Sequence, residues 1–174
     1  MTDERVPEVH LLSAIKRLPR ESGVVLRHYG LANNERRRLF DQVQAIAVRR
    51  RLVVILAGAA GQAKAWGADG FHGRIPRGST RGRLLHSAPV HDLREIRCAE
   101  RLGANLLFLS PVFPTRSHPD ARPLGRLRFG ILARSTKLPL IALGGMDAAR
   151  ARILRPRGAY GWAAIDALTS VGND

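Results

Sequence analysis

Thr115 and Ser117 place two hydroxyls two residues apart in a polar loop, with Arg116, His118, Asp120 and Arg122 around them. Pro111, Pro114 and Pro119 stiffen the same stretch, because each proline fixes φ and removes a backbone donor. The whole stretch, residues 106–125 (LLFLSPVFPTRSHPDARPLG), opens as an apolar run and becomes loop. Polar loops that follow buried strands are where α/β proteins carry their sites. A rigid connecting loop is the plainer alternative.

Gly144 and Gly145 follow a second apolar run, LPLIAL, and precede the helix-capping residue Asp147. A Gly-Gly turn lets backbone amides approach a phosphate, and it equally serves a turn that is merely tight. Arg27 lies near the end of the short run GVVLRH, and Ser87 lies in LLHSA. Arg27 is thereby delivered at the C-terminal end of a buried strand. His28, His72, His86, His91 and His118 could move protons near neutral pH. No metal-ligand spacing links them, so no zinc site is expected.

The elements that must position these residues alternate. Apolar residues at helical spacing mark helices over 9–18, 33–50 (with Asn33 or Asn34 as cap), 58–66, 92–102, 126–135 and 147–154. Asp92 with Glu95 three residues on is a capping pair, and Gly103 is a stop. Near-continuous apolar runs mark strands over 23–28, 52–56, 69–72, 84–88, 106–109, 138–143 and 160–165. Such runs belong to strands covered on both faces. A short helical turn over 166–170 is expected to close the chain. Repeated βα units imply an α/β fold with a parallel sheet. Seven strands with regular helices fit a (β/α)8 TIM barrel better than an open sheet, one strand short. Residues 1–174 are expected to form a single domain.

The 174 residues carry a net charge of +15, nearly all from arginine. That charge favours anionic partners. The arginines are scattered and aromatics make up only 5% of the chain, which argues against nucleic acid and for small phosphorylated molecules. No run is long and apolar enough for a membrane span. The lone Cys98 fits a cytoplasmic protein.

Several motifs together resemble the thiamine-phosphate synthase/TenI family: PVFPTRSHPDARPLG, LPLIALGGMD, GAYGWAAIDAL and, less closely, GADGFHG and VVLRH. The resemblance implies a barrel enzyme that joins a methylpyrimidine diphosphate to a thiazole phosphate and releases pyrophosphate, with Mg²⁺ on the leaving group. A non-catalytic or regulatory TenI-like binder of a phosphorylated precursor is the alternative. The resemblance makes Thr115 and Ser117 pyrophosphate donors, puts His118 where the family has lysine, and assigns phosphate-binding roles to Arg27, Ser87, Gly144 and Gly145. It also exposes departures. Val25 and Tyr29 stand where the family has glutamine and lysine. Ala57-Gly58-Ala59 stands for Asn-Asp-Arg, and residues 73–82 contain no acid. The Mg²⁺ carboxylates are therefore missing, and only Asp120 and Asp166 remain to test as metal ligands. Arg74, Arg77, Arg81 and Arg83 could offset that loss, or simply form a solvated basic loop. Pro111 replaces the histidine of the tautomerase relatives, which argues against that activity.

The opening MTDER resembles the tail of the family's first strand. The natural start is therefore expected upstream of Met1. Otherwise two free sheet edges remain, which would favour a homo-oligomer.

Overall fold

The structure is a computed structural model that describes residues 1–74, 84–117 and 120–165. The expected helical turn over 166–170 lies outside the described residues. The strands are β1 (Gly23–Leu26), β2 (Val53–Ala57), β3 (Gly70–His72), β4 (Leu85–Val90), β5 (Leu106–Leu109), β6 (Leu140–Ala142) and β7 (Gly161–Trp162). The helices are α1 (Glu8–Arg17), α2 (Asn33–Arg50), α3 (Ala60–Trp66), α4 (Leu93–Arg101), α5 (Gly125–Ala133) and α6 (Ala148–Leu154), with a 3₁₀ turn at Arg155–Arg157. The fold is α/β, with its parallel strands in the order β1-β2-β3-β4-β5-β6-β7. That is the succession of seven strands of a partial (β/α)8 barrel.

By contacts the chain divides into two compact units, Met1–His72 with Ile165–Asp174, and Gly73–Ala164. In the first unit, β1 pairs with β2 and β2 with β3, Leu26 opposite Leu56 and Ala57 opposite His72. Leu26, Leu39, Phe40, Val43, Val54 and Leu56 are almost wholly buried. Each such side chain contributes about 1.5–3 kcal/mol by leaving water. Helix α2 is amphipathic for this reason: Leu39, Phe40, Val43 and Ala47 recur on one face and go inside. The helix starts at Asn33, and its cap position is Ala32, whose N–H donates to Glu35. The Asn33 side chain instead accepts from Gln62 at 2.9 Å.

Ahead of β1, the Thr2 N–H donates to the Val25 carbonyl at 2.9 Å, and the buried Thr2 hydroxyl accepts from the Arg27 N–H at 2.9 Å. Thr2 is thereby held beside Val25 and Arg27.

In the second unit, β4, β5, β6 and β7 pair in succession. Ile96, Leu107, Leu109, Phe129, Leu140 and Leu154 form the centre of its core. Asp92 caps α4 by accepting from the Glu95 N–H at 2.8 Å, and Asp147 caps α6 from Arg150 at 2.8 Å. These side-chain acceptors satisfy donors that the first turn of a helix leaves free. Strand β4 extends to Val90, two residues past the expected end, with Pro89 in register with Phe108 of β5. Among the described residues no helix is long and apolar enough to cross a membrane.

Candidate functional site

The loop after β5 is stitched to the turn after β6. Val112 N–H donates to the Leu143 carbonyl at 2.9 Å and Phe113 N–H to the Gly144 carbonyl at 3.0 Å. Leu124 and Gly125 donate back to Pro111 and Val112, each at 2.9 Å, so the loop also closes on itself. The peptide between Ser110 and Pro111 is cis.

This close approach is why residues 144 and 145 are glycines. Both have left-handed backbones, φ 91° and 60°. A Cβ at Gly144 would lie 2.8 Å from the Pro111 Cα, and one at Gly145 only 2.3 Å from the Pro114 carbonyl oxygen. No side chain fits there. From α6, Arg150 donates to the Gly145 carbonyl and lies 4.9 Å from the centre of the Phe113 ring. The turn, the loop and a guanidinium are thereby locked into one unit.

The Thr115 hydroxyl accepts from the Ser117 N–H at 3.4 Å, a local turn that keeps both half-buried side chains together. Because Gly145 abuts Pro114, this turn begins one residue from the Gly-Gly turn. Four expected site residues, Thr115, Ser117, Gly144 and Gly145, therefore share one neighbourhood. His118 lies outside the described residues. Ser87 is placed otherwise: it is fully buried and mid-strand in β4, three residues before the strand ends. At the true end of β4, the exposed His91 Nδ1 donates to the Ser110 carbonyl at 2.6 Å, and its N–H donates to Glu95 at 2.9 Å.

The first unit carries the remaining expected residue. Arg27 follows β1 and is half-buried. Next to it His28 is buried, with Nδ1 3.0 Å from the Thr2 hydroxyl. Burial holds the His28 pKa below its ordinary value, against weaker opposing fields from Glu4, Asp3 and Glu8. The imidazole is therefore neutral at pH 7.

Arg36 is the residue that the sequence reading missed. It is only 7% exposed. Its Nε donates to the Arg27 carbonyl at 2.8 Å, Nη2 to the Ala57 carbonyl, and Nη1 to Gln62 Oε1 at 3.3 Å. The Tyr29 and Trp66 rings lie 5.4 and 5.8 Å away. Its helical phase with Leu39, Phe40 and Val43 was the available signal.

The donors required by Mg²⁺ can be tested against this geometry. Among the described residues, no three His, Cys, Asp or Glu side chains converge as metal ligands. The turn after β2, Ala57-Gly58-Ala59, offers no carboxylate. Instead a Cβ at Gly58 would lie 4.0 Å from Arg36 Nη1, a fixed positive charge. Asp120 is exposed, and Asp166 lies outside the described residues. The described residues do not supply the ligands that the metal needs. Arg74 is ion-paired with Glu95, so its charge is already met; Arg77, Arg81 and Arg83 lie outside the described residues.

Parallel βα units in this strand order, with a glycine turn seated against a hydroxyl-bearing loop, belong to the (β/α)8-barrel class. Comparison narrows the class. Residues 2–168 match the family model described as thiamine monophosphate synthase. The chain belongs to the thiamine-phosphate synthase/TenI family. It is 30% identical to the thiamine-phosphate synthase of Desulfitobacterium hafniense over 94% of this chain and 84% of that one. Among solved structures, the thiamine phosphate pyrophosphorylase of Pyrococcus furiosus superposes with a TM-score of 0.81 at 25% identity, over 97% of this chain and 85% of that one. The corresponding protein of Bacteroides thetaiotaomicron, 14% identical with a TM-score of 0.62 over 90% and 75% of the two chains, shares the fold.

Proposed function

We propose that this protein joins a methylpyrimidine diphosphate to a thiazole phosphate, forming thiamine phosphate and releasing pyrophosphate. The carrying observation is the seating of the Thr115–Ser117 loop on the Gly144-Gly145 turn, in a chain of this family. In this reading Thr115 and Ser117 donate to the leaving pyrophosphate, and Arg27, in the first unit, keeps the phosphate-binding role that the family resemblance gives it. The glycine turn presents backbone amides to the thiazole phosphate. Ser87 and His118 complete the expected set, Ser87 only if β4 adjusts, since its hydroxyl is buried. We take residues 1–174 as one cytoplasmic domain of this kind, with small phosphorylated molecules rather than nucleic acid as its partners.

One observation favours a second reading. The turn after β2 lacks the carboxylate that the family resemblance leads one to expect. A TenI-like binder that holds a phosphorylated thiamine precursor without reaction would not need it. Purified protein supplied with both substrates, with and without magnesium, separates the two. Thiamine phosphate in either condition supports the synthase. Its absence in both, with thiazole phosphate still bound in calorimetry, supports the binder.

A further inference from the structure

Arg36 is a buried charge that is hydrogen-bonded to no anion among the described residues. A guanidinium has five N–H donors. Three are used here, on two backbone carbonyls and an amide oxygen, all of them neutral. Glu4 is the acid whose field reaches it, yet Glu4 spends a carboxylate oxygen on the Gly30 N–H at 2.8 Å. Buried charges are ordinarily paired, because leaving water is costly for an ion. An arginine so placed remains charged.

A second observation shows where an anion would go. Gly58, at the C-terminal end of β2, is exposed, and a Cβ there would meet nothing closer than Gln62 Oε1 at 3.8 Å and Arg36 Nη1 at 4.0 Å. The space above Gly58 is open and walled by the guanidinium. Arg36 also holds the carbonyl of Arg27, tying a second arginine to the same strand ends. Strand C-termini are where barrels of this kind bind ligands.

We propose that the turn after β2 is a metal-independent oxyanion subsite. In it the Arg36 guanidinium takes a phosphoryl group of the diphosphate and supplies the positive charge that a divalent cation would otherwise supply. The inference rests on the diphosphate-handling reading above. It adds that the departures at positions 57–59 are one half of an exchange whose other half is Arg36. Guanidinium forks bind phosphate oxygens in pairs, so geometry as well as charge is replaced.

Inorganic pyrophosphate is the probe, titrated calorimetrically into the full chain in EDTA and in magnesium. Pyrophosphate should bind in EDTA, and magnesium should change the dissociation constant less than threefold. Replacing Arg36 could loosen β1 and β2, so the sharper variant is Gln62→Glu. It sets a carboxylate where an amide oxygen now accepts from Arg36 at 3.3 Å, pairing the charge from within. Q62E gives up the Gln62 donation to Asn33 Oδ1 and gains a pair with Arg36, so it should stay folded, with a cooperative melt, and bind pyrophosphate at least tenfold more weakly. Binding only with magnesium, equal binding by Q62E, or no binding in either buffer overturns the inference. A chain that binds pyrophosphate through Arg36 yet makes no thiamine phosphate refutes the synthase reading alone. Thiamine phosphate synthesis with strictly magnesium-dependent pyrophosphate binding refutes the Arg36 subsite alone.

Discussion

Gly145→Ala tests the packing that holds the candidate site together. At φ 60°, alanine accepts a left-handed backbone that costs about 1–2 kcal/mol. Its Cβ must also displace the Pro114 carbonyl oxygen, 2.3 Å away, and press on Phe113, whose Cβ and carbonyl carbon lie 3.0 and 3.1 Å away. Overpacking of this kind costs about 1–3 kcal/mol more. The loop cannot retreat without stretching the Phe113 to Gly144 hydrogen bond. In a domain of this size each kcal/mol lowers Tm by about 2–4 °C, so G145A should fall by about 5–15 °C in thermal unfolding followed by circular dichroism. Gly103→Ala is the control: its φ is 78°, but a Cβ there meets nothing within 4 Å. It bears the backbone cost alone and should fall by about 2–6 °C. A G145A variant that melts no lower than G103A would refute the claim that the loop is seated on the glycine turn.

Thr115→Ala and Ser117→Ala should each weaken phosphate or pyrophosphate binding by about 1–3 kcal/mol in calorimetry, and unchanged affinity would remove them from the site. Phe129→Ala empties a fully buried position in the second unit's core and should cost about 3–5 kcal/mol in urea unfolding; less than 1 kcal/mol would contradict that packing. His28 gives a pH signature. Its folded pKa is depressed by burial, so its contribution to stability is full above about 6.5, the unfolded value, and is lost as pH falls through the lower folded value. Urea unfolding at pH 7.5 and 5.5 should show a smaller acid loss for His28→Gln than for the parent, and equal losses would contradict the buried, neutral imidazole.

Much of this architecture is written in local pattern. The runs GVVL, VVIL and LLFL appear as strands because apolar residues without helical period suit a sheet covered on both faces. Asp92 with Glu95, and Asp147, announce helix starts through side-chain acceptors that the structure uses. Where the pattern misled, a local rule met a tertiary exception. The expected strand over 84–88 stops before Pro89, yet β4 continues through that proline to Val90, leaving Ser87 buried in its middle. Asn33 has the chemistry of a helix cap but is engaged by Gln62 from α3. Arg36 was not singled out in the sequence; its helical phase, not its charge, decides its burial. The pairing of the Thr115–Ser117 loop with the Gly144-Gly145 turn depends on contacts between distant segments, which no single stretch of sequence records.

The most direct test of the account is synthesis itself: full-length protein with methylpyrimidine diphosphate and thiazole phosphate, in magnesium and in EDTA, with thiamine phosphate as the readout. The account predicts thiamine phosphate in both buffers. No thiamine phosphate in either would contradict it.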